Sequence, residues 1–403
     1  MKLLRQHDFL LLFISLGLSH LGDLLAALAL TIRVHDTTGS GWAVSALLLA
    51  ELLPLVLLAP LAGMLVDRFE TVRVLAVAVT LQAIVAVGLA FAGSMSVLLL
   101  LALLLGAGAA VANPAIFALV PRVAGEDHIT EANAYLELAR YGGATLGPLL
   151  GGALSAALGV RTALLIDAAT FVVVGVAAVA LRVRRRPVAE PSAEEAVGRR
   201  VRAMREGFMF LARDRLLRIV ALAHAAMLLF AGAENVAFVF FVKDVLHAGD
   251  AGFGIFVATW TLGMVAGIVL VGRRIRVANL ALAYLLAMLF GRAAVTLAGA
   301  LPFVLVALPA FLSGGGGNGI ENVTSRSLIH HRSPENLRGR VFAAWAGLGS
   351  GAQIAAMALG GAIVELAGPR GTILFAGLGG VLVAVAALIA IPRWSPEPAQ
   401  SGK

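Results

Sequence analysis

The chain has 403 residues, of which 60% are hydrophobic and 13% charged, with 45 Gly and a mean hydropathy of +0.95. Soluble domains carry about 25% charged residues, so this composition excludes a pair of soluble domains and points to a polytopic membrane protein. The absence of cysteine excludes disulfides, thiolate catalysis and Cys-ligated zinc or iron–sulfur centres.

A net charge of +8 would suit nucleic acid, but the basic residues fall between apolar runs, which is the pattern of membrane topology. No nucleic-acid partner is expected. Met1 to Asp8 is short and polar, and the run after it is long enough to span, so no cleaved signal is expected. Runs of about 20 apolar residues are the template of a spanning helix. Twelve are found, at 9–32, 42–66, 74–92, 96–120, 133–158, 162–181, 216–242, 252–272, 277–299, 302–325, 341–366 and 371–391.

An even number of spans puts both termini on one side. One set of loops carries Lys2, Arg5, Arg68, Arg73, Arg122, Arg273, Arg274, Arg276, Arg332, Arg338, Arg340 and Arg393, and the other offers little beyond Arg33, Arg161, Lys243 and Arg370. The positive-inside rule then makes both termini cytoplasmic, in a multi-pass protein of the cell membrane.

Between the second and third runs lies Gly63 to Arg73, GMLVDRFETVR. Gly63 permits close helix approach, while Asp67 and Arg68 sit at the interface where charge is tolerated. Between the sixth and seventh runs, Arg182 to Arg218 carries eleven Arg against five acids. Its second part has Val201, Met204, Phe208 and Leu211 at helical spacing, which predicts an amphipathic helix on the inner membrane face. This divides the chain into an N-terminal six-helix bundle at 1–181, a linker at 182–215, a C-terminal bundle at 216–392 and a tail at 393–403.

The two bundles repeat. A shift of 209 residues brings Asn113 onto Asn322, Glu126 onto Glu335, Gly151 and Gly152 onto Gly360 and Gly361, Gly159 onto Gly368, Arg161 onto Arg370 and Gly63 onto Gly272. Arg276 stands where the first half has Asp67, so the acid of the opening motif occurs in one half only.

With twelve runs in two repeated halves, a basic central loop and GMLVDR after the second run, the chain resembles the major facilitator superfamily. It is most similar to the bacterial branch of macrolide-efflux and siderophore-export proteins, on SHLGDLLAALAL (Ser19 to Leu30), GSGWAVSALLLAELLP (Gly39 to Pro54), ANPAIFALVPRV with EANAY, LGPLLGGAL (Leu146 to Leu154) and SPENLRGRVFAA (Ser333 to Ala344). One departure is that Glu70, Thr71 and Val72 precede the only later base, Arg73, where the family motif continues with several bases. The resemblance implies an all-α fold of two six-helix bundles and a secondary transporter, not an enzyme. Gly147, Pro148, Gly151 and Gly152 resemble the family's exporter-associated motif, which implies efflux rather than uptake.

An ionisable residue in mid-membrane costs roughly 2.5 to 3.5 kcal/mol on insertion scales, so it needs a partner, a wet cavity or a function. Asp23 in the first run and Glu51 in the second are expected to carry a coupling proton, against the alternative of carboxyls hydrogen-bonded for structure alone. Arg140 stands one turn after Glu137 and would either hold a carboxylate ionised or pair locally with Glu137. In the second half Glu234 and Arg292 are the stronger candidates; Glu321, Asn322 and Arg326 are further ones, and Asp167 and His224 weaker ones.

Gly314, Gly315, Gly316 and Gly317 predict a bendable or partly unwound gate, because each weakens a helix by up to about 1 kcal/mol relative to Ala. Ser313 to Gly319 lacks the Lys-Ser/Thr of a phosphate loop, so nucleotide is not expected. Phe13, Phe117, Tyr141, Phe230, Phe238, Trp260 and Trp345 are candidates to line an apolar cavity, with Arg292, Glu321 and Asn322 as its polar members. His330 and His331 have no acid at a convincing ligand spacing, so neither a metal nor an enzyme is expected. The reading is a monomeric proton antiporter for a lipophilic or amphiphilic small molecule, with no cofactor besides the proton gradient and the bilayer around it. Uptake symport or lysolipid flipping on the same fold is the alternative, and a receptor or membrane enzyme the alternative from another class.

Overall fold

The computed structural model describes residues 3–183, 193–270 and 274–391, with the backbone alone for Glu126 and residues 193–201. Lys2, Gly272, Arg273, Arg393, the linker at 184–192 and the tail lie outside them. Thirteen α-helices follow in chain order: α1 His7–Thr38, α2 Gly41–Leu57, α3 Ala59–Arg68, α4 Thr71–Phe91, α5 Met95–Ala124, α6 Ile129–Leu158, α7 Val160–Ala180, α8 Ala193–Arg213, α9 Arg215–Phe240, α10 Gly249–Leu270, α11 Leu280–Ala300, α12 Val304–Arg332 and α13 Arg338–Ala390.

The fold is all-α because a bilayer offers the backbone no water, so each spanning segment must satisfy its own N–H and C=O groups. Eight helices among the described residues are long and apolar enough to cross a membrane, and α2 with α3, bent by 50°, makes a ninth. The bend follows Pro54, which lacks the N–H for the helical ladder. The 53-residue α13 is two of the predicted runs joined at Gly368, whose φ of 69° no helix accommodates. The fifth and tenth predicted runs are helical as α6 and α12, 30 and 29 residues long. At 1.5 Å per residue both exceed a hydrocarbon core of about 30 Å, but Glu131, Glu137 and Arg140 in α6 and the glycines and ionisable residues of α12 dilute their hydropathy.

The described chain forms two compact units. The first comprises the chain up to Glu195 with Asn235–Thr261 and Met357–Pro369, and the second Ala196–Glu234, Leu262–Ala356 and the chain from Arg370. In the first, α1 packs against α6 and α7, and α4 against α5 and α7. A row of glycines explains how α6 lies so close to α1. A methyl on Gly143 would come within 2.7 Å of Gly17 O, on Gly147 within 2.6 Å of Leu21 O, and on Gly151 within 3.0 Å of Leu25 O. Three small residues at i, i+4 and i+8 thus form one seam. On another face of α6, Gly152 lies against Asp250 O and Gly254, and Gly254 abuts Pro148 O. The Gly147–Pro148–Gly151–Gly152 segment therefore contacts α1 and the start of α10 together.

In the second unit α11 and α12 are the intimate pair. Gly317 sits 2.6 Å, measured from an added methyl, from Ala287 O, and Gly267 and Gly319 bring α12 against α10 in the same way. The helix α12 runs unbroken through Gly314 to Gly317. The helix shows no unwinding at these glycines, and Gly317 among them packs closely on α11, a contact that favours the helix over its weak intrinsic propensity. The helix α8 forms as predicted from sequence. Leu211 is buried and Met204 and Phe208 are exposed, while Gly207 rests on the backbone of Arg340 and Glu206 pairs with Arg340.

The repeat offset recurs as contacts. Arg161 Nε donates to Ala90 O at 3.4 Å, and Arg370 Nε donates to Gly299 O at 3.0 Å. Both partners differ by 209, since 90 + 209 is 299 and 161 + 209 is 370. Gly159 and Gly368, also 209 apart, share the same left-handed extended backbone, with φ of 82° and 69°.

Candidate functional site

In the first unit, α1, α2 and α7 bring three carboxyls together. Asp167 is fully buried and senses the charges of both Asp23 and Glu51, and Glu51 senses Asp23. The local cause is Gly22: any side chain there would collide with Asp167 and Thr170 of α7, so the glycine lets that helix close over the turn holding Asp23. Gly106 of α5 does the same at Glu51, where an added methyl would meet Glu51 O at 2.6 Å.

Hydrogen bonding in this cluster is sparse. Ser19 Oγ donates to Asp23 Oδ2 at 3.4 Å, and Thr170 Oγ donates to Asp167 O at 2.8 Å and to Asp167 Oδ1 at 3.5 Å. Glu51 Oε1 and Asp167 Oδ2 are buried without a hydrogen-bond partner among the described residues, as is Gln82 Oε1 on α4. Buried polar atoms are nearly always paired, and a group left unmatched costs about 1–3 kcal/mol, more if charged. Such an arrangement is suited to gaining and losing a proton.

The second unit holds a different kind of cluster. Arg292 Nη1 of α11 donates to Glu234 Oε2 of α9 at 2.7 Å, with both residues buried. Gly380 makes room for the Arg292 stem, which fixes where the guanidinium lies. Glu321 of α12 is 4% exposed, senses Arg292, and keeps Oε2 without a hydrogen-bond partner among the described residues. Nearby, Tyr284 senses both Glu321 and Arg292, and its hydroxyl meets His224 Nδ1 at 2.7 Å. The His224 ring stacks on Trp345 with centroids 4.6 Å apart. A permanent cation beside one bound and one unmatched carboxyl can exchange partners when a proton arrives.

The remaining candidates divide. Arg140 pairs with Glu137, at 2.6 Å from Nη2 and 3.0 Å from Nε, and lies 4.7 Å over the Tyr141 ring, both on its own helix, and across the helix seam it faces His20 of α1. Phe238 belongs to an aromatic group with Phe253 and Phe256, and Phe230 packs on Phe375. Phe117 is exposed. Asn322, adjacent to buried Glu321, is exposed and donates to Asn318 O at 3.0 Å. In the hinge motif Asp67 and Arg68 end α3, with Asp67 half-buried, and Arg73 pairs with Glu70 at 2.7 Å. Gly63 lies mid-helix in α3.

Asp167, Gln82 and Tyr284 lie in or beside these clusters, whereas the sequence ranks Asp167 low and does not single out the other two. Tyr284 gives no signal in a run of apolar residues, but Asp167 does, as an acid inside the sixth run.

The family model described as Major Facilitator Superfamily matches residues 12–357. An uncharacterized MFS-type transporter, YfiS of Bacillus subtilis (strain 168), is 25% identical over 373 residues, covering 90% of this chain and 88% of that protein. Similar solved structures include a POT family transporter in complex with 5-aminolevulinic acid, with a TM-score of 0.76 at 12% identity over 94% of this chain and 95% of that one. The nucleoside transporter NupG has a TM-score of 0.74 at 16% identity, over 96% of this chain and 100% of that one. With the family model matched across most of its length, this chain belongs to the major facilitator superfamily and is a multi-pass membrane transporter of that type.

Proposed function

We propose that this transporter exports a lipophilic or amphiphilic small molecule in exchange for protons, by alternating access of its two six-helix repeats at 1–181 and 216–392. The observation that carries the reading is the cluster of Asp23, Glu51 and Asp167, with two buried carboxyl oxygens lacking a hydrogen-bond partner among the described residues. A group so poorly satisfied inside a bilayer is retained where its protonation changes during function. Glu234, Arg292 and Glu321 form the second proton-responsive group, and Arg140 with Glu137 lies nearer the end of its helix. An inward proton adds about 2.3 kcal/mol per 100 mV of membrane potential, besides the pH term.

The export direction is supported by the Gly147 to Gly152 motif and by the resemblance to the macrolide-efflux and siderophore-export branch. The arginine-rich loops support cytoplasmic termini in a protein of the cell membrane. One chain supplies both repeats, which supports a monomer. The apolar aromatic residues, Phe238 and Tyr141 among them, favour apolar cargo. The test is accumulation of cargo in inside-out vesicles under a pH gradient imposed acid inside, against a panel of drugs, siderophores and lysolipids. Asp23→Asn, Glu51→Gln and Asp167→Asn are expected to reach the membrane and to lose gradient-driven export by at least about tenfold each, as for general acid–base groups. Movement of cargo in the opposite direction would instead establish uptake.

A further inference from the structure

The C-terminal end of α1 carries a charge network about three helical turns beyond Asp23. His35 Nδ1 lies 2.6 Å from Asp36 Oδ1, and His35 Nε2 lies 3.0 Å from Asp244 Oδ2. An ionised carboxylate only accepts hydrogen bonds, so both contacts together require a proton on each ring nitrogen. A neutral imidazole has one N–H and can satisfy only one of the two.

The rest of the network fixes this geometry. After Phe240, α9 passes into a single π-helical turn, Phe241–Val245, which holds both Lys243 and Asp244. Turns of this kind are frequent at functional sites. Lys243 Nζ lies 2.5 Å from Asp36 Oδ1 and 2.5 Å from Asp250 Oδ1 at the start of α10. The His35 ring packs edge-on against Phe240, 4.8 Å between centroids. The charged groups around His35 are therefore Asp36 on α1, Lys243 and Asp244 on the π-turn and Asp250 on α10. Arg33 is turned away to the carbonyls of Leu89 and Ala92, His247 is exposed one turn on, and Glu365 of α13 accepts from Ser40 Oγ at 3.2 Å and Gly41 N at 3.0 Å. With His35 charged the network has two cations facing three carboxylates.

We propose that His35 is a proton-binding site separate from the mid-helix carboxyls, and that its protonation fastens the end of α1 to the end of α9. At acid pH on this face both carboxylate contacts form. As pH rises and the ring loses a proton, one contact is lost and the ends part more readily. His35 and Asp244 are 209 residues apart, so the fastener joins equivalent positions of the two repeats. This inference does not depend on the direction of transport or on the mid-helix carboxyls.

The chain has no cysteine, so two labels can be placed without a background. In the full chain in lipid nanodiscs, spin labels on Thr37→Cys of α1 and Ala251→Cys of α10 report the separation of these ends. Without any cargo, raising the pH from about 5 to about 8, across the range where histidine titrates, is expected to lower the short-distance population at least about threefold. His35→Gln is expected to give one low population at both values. Asp244→Asn, a change at a half-exposed side chain, is expected to lower it at acid pH. Combining the two should add little to either, as for residues sharing one interaction. A wild-type distribution that ignores pH, or a His35→Gln protein that keeps the full pH response, would overturn the proposal.

Discussion

Arg292 carries a permanent charge in the interior of a membrane protein, and its neighbours decide what that charge does. Glu234 compensates it directly, whereas Glu321 stands near with one oxygen unmatched among the described residues. Breaking a buried pair by removing one partner costs about 3–5 kcal/mol, mostly for the charge left behind, while replacing both partners by apolar residues is often neutral. Glu234→Gln is therefore expected to lower the unfolding temperature in detergent clearly, and Glu234→Leu combined with Arg292→Met to recover most of it while transport stays lost. A single variant as stable as wild type would remove the pair from the account. Asp67 belongs to the same scale. It is half-buried at the end of α3, where an acid can meet a helix terminus or an arginine as the transporter cycles. Asp67→Asn is expected to slow turnover several-fold with little change in cargo affinity, measured by equilibrium binding alongside flux. A loss confined to affinity would assign this stretch to the cargo site.

At the scale of helices, glycine placement governs how the elements meet. The four consecutive glycines of α12 differ sharply in their surroundings. A methyl on Gly316 would meet Gly263 O at 3.6 Å, an ordinary contact, while one on Gly317 would meet Ala287 O at 2.6 Å. Gly316→Ala is expected to leave stability unchanged or slightly raised, by up to about 1 kcal/mol from helix propensity, and Gly317→Ala to cost about 1–3 kcal/mol through overpacking. Thermal unfolding of the two variants checks this. Equal effects would mean that α12 bends at these glycines instead of packing on them. Gly147→Ala, 2.6 Å from Leu21 O, is expected to behave like Gly317→Ala and to impair transport as well, because the same segment contacts α1 and α10.

For the whole molecule, the architecture was legible in the sequence because a bilayer imposes long apolar runs and tolerates charge only at their ends. The offset of 209 was legible too, and the matching Arg161 and Arg370 contacts give it a physical basis. Asp23 and Glu51 stood out since an acid inside a run is costly. Asp167 carried the same signal but was ranked lower, and its fit against Gly22 depends on a helix neighbour no single run discloses. Gly314 to Gly317 lie in a continuous helix although their propensity in water is low, because that propensity says nothing about a partner helix. His35, Asp36, Lys243 and Asp244 gave no signal as a group, for charges at the ends of runs are ordinary and only the packed helices bring them together.

The central claim is that proton movement through the carboxyl cluster is tied to cargo movement. It is tested most directly in proteoliposomes loaded with a pH-sensitive dye, by adding a lipophilic cargo on one side and recording proton flux. The account predicts cargo-dependent proton movement in the opposite direction, abolished in the Asp23→Asn, Glu51→Gln, Asp167→Asn triple variant. Cargo transport that continues in the triple variant, or that leaves the dye signal unchanged in wild type, would contradict it.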